Sequence, residues 1–220
     1  MTLIFLTSCK EKKNISTDNE FDGKVWDIKL ENNLGNIKII LPKHLDTIYK
    51  WTQYSDCGDG CANYDYRVQP KNLPFFKDDG FYWHPLKDSV ESFTIKHPKV
   101  TRQFTKDDTM LIRQLSGILK HNYLYERNVS NFSIDTVFII GDNTVAAIAF
   151  SDYDTSNKAN VQMLNAMTVI NGNLVEINFE CRKSYNDPLS KKFIHNAFEA
   201  LKKMQINNSR QQGFGVMSAD

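Results

Sequence analysis

The side chains able to do acid–base or nucleophilic chemistry are few and scattered. The five histidines are His44, His84, His97, His121 and His195. His84 and His97 each precede a proline in an aromatic middle region. They are the better candidates for a general acid or base, because imidazole titrates nearest neutrality. His121 and His195 fall in helical patterns and read as surface or boundary residues. Asp78-Asp79 offers a carboxylate pair, but beside Gly80 it reads more simply as a turn. The chain has no Gly-x-Ser-x-Gly elbow, no His-Glu-x-x-His and no phosphate-binding loop. "GFGVMS" near the end lacks the third glycine and the preceding strand of a dinucleotide site. In "DCGDGCANYD", Asp56, Asp59 and Asp65 suggest a calcium loop. An EF-hand needs oxygen ligands at its third and fifth places and Glu at its twelfth. Counted from Asp56, those places hold Gly58, Gly60 and Arg67, so the pattern fails. Zinc would use Cys57 and Cys61, yet no second Cys or His pair stands at suitable spacing. Neither a metal nor a cofactor is expected. A hydrolase or lyase using His84, His97 or a nearby Asp is the enzymatic alternative.

The opening "MTLIFLTSCKEKKNISTDNE" is more specific. Leu3 to Leu6 form an apolar run far shorter than the roughly 20 residues of a membrane-spanning helix. Leu6-Thr7-Ser8-Cys9 is an aliphatic residue, two small residues and a cysteine, and closely resembles the lipobox of bacterial lipoproteins. The resemblance implies that residues 1–9 are the remnant of a lipoprotein signal. Cys9 is then the lipidated residue, carrying diacylglycerol and palmitate-type chains. Each buried methylene contributes about 0.8 kcal/mol, so several chains anchor firmly. Residues 10–22 then form a polar tether. Lys10 is not the Asp that retains enterobacterial lipoproteins in the inner membrane, so the resemblance favours the outer membrane. An exported protein meets an oxidising compartment. With Cys9 lipidated and Cys181 reading as a core residue, the resemblance leaves Cys57 and Cys61 as the disulfide pair.

The elements that must position these groups alternate between strand and turn signals. With 220 residues and 41% hydrophobic content, the chain is long enough for one good core. Its 27 basic and 26 acidic residues balance, which argues against nucleic acid as a partner. "KVWDIKL" and "NIKIILP", joined by "ENNLG", read as one hairpin, and "DTIYKWTQYSD" with "NYDYRVQP" as another. "GFYWHPL" and "SVESFTIKHP" read as short strands. A helix is predicted over 107–126, with Leu111, Leu115, Ile118, Leu119 and Tyr123 at helical spacing and Thr105 with Asp108 as a variant capping box. "FSIDTVFII", "TVAAIAFSDYD", "NVQMLNAMTVI" and "LVEINFECRKS" follow as strands, the last two joined at Asn171-Gly172. Asp187 and Pro188 predict the start of a second helix over 188–206, with Phe193, Ala197, Phe198 and Leu201 facing inward. A single α+β domain over 23–206 is expected, with 207–220 as a loose C-terminal tail.

Strands, an amphipathic helix, an antiparallel meander and a final helix make an order that resembles the Mog/PsbP-like α/β/α sandwich. The likeness covers roughly residues 104–206, chiefly "VQMLNAMTVINGNLVEINFECRKSYNDPLSKKFIHNAFEALKKMQI". A helix-grip or cone-shaped α+β fold is the alternative, and it would expect a helix earlier in the chain. The resemblance implies a binding or assembly module: a non-catalytic envelope lipoprotein that takes a partner protein or small ligand. The candidate surface is the second hairpin, where Tyr49, Trp51, Tyr54, Tyr64, Tyr66 and Arg67 flank the Cys57–Cys61 loop. Trp, Tyr and Arg are the types that dominate binding hot spots. This requires the disulfide and at least two of the aromatics partly exposed on one side.

Overall fold

The computed structural model describes residues 23–54, 56–73, 90–100, 108–126, 129, 131–154, 158–186, 190 and 192–207. The expected signal remnant with Cys9 and the tether lie outside these residues. So do Asp78-Asp79, the strand expected at 80–86 with His84, Thr105, Asp187-Pro188, and the tail beyond Asn207.

Period-two alternation of β-branched and aromatic residues yields ten strands among the described residues, all paired antiparallel. They are β1 (Gly23–Leu30), β2 (Gly35–Pro42), β3 (Thr47–Gln53), β4 (Asn63–Gln69), β5 (Val90–Pro98), β6 (Ile134–Ile140), β7 (Asn143–Asp154), β8 (Ala159–Ile170), β9 (Asn173–Ser184) and β10 (Gln205–Asn207). Among the described residues two α-helices, α1 (Asp108–Glu126) and α2 (Phe193–Lys202), complete a mixed α+β domain. The expected hairpins form, and the Asn171-Gly172 turn has φ of 48° and 76°, the pair of positive values that a tight hairpin needs. The strands divide between two sheets. One has three strands in the order β1-β2-β10, and the other seven in the order β3-β4-β5-β9-β8-β7-β6.

Side-chain alternation gives the large sheet two different faces. Val145, Ala147, Leu164, Ala166, Ile177 and Phe179 point to one of them. There they join Ile28, Ile37, Ile39 and Leu41 of the small sheet and Phe193, Ala197 and Leu201 of α2 in the main core. Ala146 and Val169 point the other way and pack on Ile112 of α1. Among the described residues, α1 therefore covers one face, and the small sheet with α2 covers the other. The alanines of β7 let both layers approach closely.

One expectation is corrected. The second helix does not run to residue 206: it ends at Lys202, and Gln205–Asn207 becomes the third strand of the small sheet, pairing with Asn36–Lys38. Lys203 already leaves the helix as its C-cap, and Ile206 packs against the main core. On α1, Ile112 and Ser116 are buried, and Leu111, Leu115, Leu119 and Tyr123 are half-buried, with Leu111 packed against the Ile112 cluster. No helix among the described residues is long and apolar enough to cross a membrane.

Candidate functional site

The β3–β4 connection is built by its glycines and cysteines. Gly58 takes φ 77°, where a side chain would strain the backbone, although open space surrounds it. The Asp59–Cys61 segment then makes one 3-10 turn, with the Cys61 and Ala62 amides donating to the carbonyls of Gly58 and Asp59. Cys57 and Cys61 are bonded, their Cα atoms 5.8 Å apart. The Lys99 amide donates to the Ala62 carbonyl at 2.7 Å, tying the loop to the end of β5. Asn32, from the β1–β2 turn, donates to the Lys99 carbonyl at 2.7 Å. Three chain segments thus converge on this tip.

The structure divides the six predicted surface residues. Tyr64 and Tyr66 point to the face that carries the small sheet, and Trp51 and Arg67 point to the opposite one. This follows because Tyr64 lies opposite Thr52 and His97, whereas Trp51 lies opposite Asp65. Trp51 is buried and the Arg67 guanidinium stacks on its ring at 5.2 Å. Tyr49 is half-buried. Tyr66 is 1% exposed and belongs to the core, so it is not a surface residue. Tyr54 is 62% exposed, and Tyr64 is half-buried against the edge of the core. Between them stands Lys99, a residue that the strand pattern did not single out. Its ammonium lies 5.1 Å from the Tyr54 ring centre and 3.0 Å from Asp59 Oδ1. The hydrogen bond to Asp59 holds its pKa above the ordinary lysine value. Proximity of Lys99 to this loop depends on β5 pairing with β4, which no local sequence signal shows.

His97 is 1% exposed beneath this patch. Its Nδ1 lies 3.1 Å from the Pro98 carbonyl, which can only accept, so Nδ1 carries the proton. In the neutral ring Nε2 is then an acceptor, and Tyr66 Oη, 3.2 Å away, donates to it. Tyr66 Oη in turn accepts from the Glu31 amide at 2.8 Å. Glu31 also pairs with Lys50 through its carboxylate, which holds its pKa below the ordinary value. Burial lowers the pKa of His97 and pushes that of Tyr66 up to about 12. Both groups stay neutral at pH 7, and both ring nitrogens of His97 are engaged by the protein. The network links the small sheet to the large one.

Other predicted positions are more ordinary. His44 pairs with Glu91 at 3.2 Å, and His121 and His195 are exposed on the helices. Cys181 is buried and unbonded, and burial pushes its thiol pKa up to about 11. Among the described residues no three His, Cys, Asp or Glu side chains converge as a metal site. Comparison of the chain with models of known protein families and with curated proteins finds no match, so the functional reading stands on this geometry.

Proposed function

We propose that this chain is a lipid-anchored envelope lipoprotein, held through Cys9 in the outer membrane, whose folded domain is a non-catalytic binding module. Helix α1 on one face of the large antiparallel sheet, and α2 with the small sheet on the other, are compatible with a Mog/PsbP-like sandwich as the frame. One observation carries the functional reading: the disulfide-closed tip presents Tyr54, Tyr64, Lys99 and Asp59 together. Aromatic rings beside a lysine and a carboxylate offer apolar area and directional contacts at small entropic cost, since the bond and the β5 tie restrict the loop. A partner protein is the expected ligand of this surface. Catalysis by His97 is disfavoured, because a buried imidazole with both nitrogens occupied has no free position from which to move a substrate proton.

A photo-crosslinking residue placed at Tyr54, in cells, tests the surface. It should trap one discrete envelope protein, while the same residue at Tyr185, also exposed on another part of the domain, should not. Equal trapping at both positions, or none at Tyr54, would remove the reading. The anchor is tested separately. With a complete signal sequence the protein should partition to membranes with acyl mass on Cys9, and Cys9→Ala should release it.

A further inference from the structure

A cavity of about 230 Å³ opens where α2 crosses the large sheet beside the β2–β3 connection. It lies at the end of β5 opposite the stapled tip. Ser92, on its wall, is six residues from Pro98, and a strand advances about 3.4 Å per residue, so the two places are about 20 Å apart. Its floor is apolar: Leu45, Phe179, Phe193, Ala197 and Ala200. Ala197 and Ala200 are spaced i, i+3 on the inward side of α2, and their small side chains are what leave the space. Its mouth is polar: His44, Glu91, Ser190 and Asn196.

From this arrangement we infer that the cavity is a binding site for a small primary amine with an apolar body, an arylalkyl or alkyl ammonium. An engineered apolar cavity of about 150 Å³ takes a benzene ring. This one has room for a ring or short chain and a small head group. The anionic group of the lining is Glu91. Its side chain is 30% exposed, and one carboxylate oxygen is engaged by His44 Nε2 at 3.2 Å. The His44 side chain is 52% exposed, so it can turn into water as an ammonium arrives. Ser190 and Asn196 supply oxygens for the remaining ammonium protons. An anionic ligand of the same size would meet Glu91 as a like charge.

This site does not depend on the tip, and its test can fail while the tip reading stands. Phenethylamine, 2-phenylethanol and phenylacetate share one ring and chain and differ in head group. Calorimetry and methyl NMR on the folded domain should show the amine binding, with shifts at Leu45, Ala197 and Ala200. The alcohol should bind about tenfold more weakly or worse, since a charge-assisted hydrogen bond is lost, and phenylacetate should not bind. Glu91→Gln should bring the amine down to the level of the alcohol. Ala197→Leu should fill the space and abolish both while the domain stays folded, and Ala200→Val serves if that variant does not fold. Tyr54→Ala should leave amine affinity unchanged. Absence of any amine binding, or alcohol and acid binding as tightly as the amine, would overturn the assignment.

Discussion

Removing the Tyr66 hydroxyl should cost the domain more than its small volume suggests. Tyr66→Phe keeps the ring in the core but removes the acceptor of the Glu31 amide and the donor to His97 Nε2. Each buried polar group left without a partner costs about 1–3 kcal/mol. His97 is almost wholly buried and the Glu31 amide is half-buried, so the joint loss should be about 3 kcal/mol. For a domain of this size each kcal/mol moves Tm by about 2–4 °C, so the variant should melt about 6–12 °C lower. The same network gives the wild type an acid limb. The folded state holds His97 neutral with a lowered pKa, whereas the unfolded chain protonates it near 6.5. The unfolded state therefore binds more protons as pH falls. Stability should drop as pH decreases below about 6.5 towards the lowered folded value, at up to about 1.4 kcal/mol per pH unit. Urea denaturation between pH 5 and 8 reads both effects. His97→Phe should flatten the limb between pH 5 and 6.5. A Tyr66→Phe cost below about 0.5 kcal/mol, or an unchanged acid limb in His97→Phe, would refute the network's role.

Three further outcomes follow from the packing. Breaking the Cys57–Cys61 bond with a double serine variant should cost about 2 kcal/mol by loop entropy, read by thermal melts with and without reductant, and non-reducing peptide mapping should recover the linked pair. Phe198→Ala should cost about 1.5–2.5 kcal/mol in urea denaturation, below the 3–5 of a fully buried ring, because Phe198 is half-buried against Phe138 with centroids 5.6 Å apart. Cys181 should resist iodoacetamide in the native protein and react once unfolded, as a buried thiol with a raised pKa must.

Most strands were legible because their signals are local. "KVWDIKL" alternates, Asn171-Gly172 turns, and both effects act within a few residues. The face shared by Val175, Ile177, Phe179 and Cys181 followed from period two alone, and all four are buried. Residues far apart in sequence were another matter. Pairing of β5 with β9 joins Phe93 to Phe179, and nothing near either residue announces it. The loss of β1 and β2 to a separate sheet, and the recruitment of Gln205–Asn207 to it, depend on which apolar face each strand finds to cover. The aromatics of the second hairpin show the limit clearly. Their types marked the hairpin as a candidate surface, but composition is the same on either side of a strand. Only the assembled layers decided that Tyr66 is sealed against His97, that Trp51 is buried on the opposite face, and that Tyr54 stands in solvent beside Lys99. Exposure is set by what packs over a residue, and that is a property of the whole domain rather than of its neighbours in the chain.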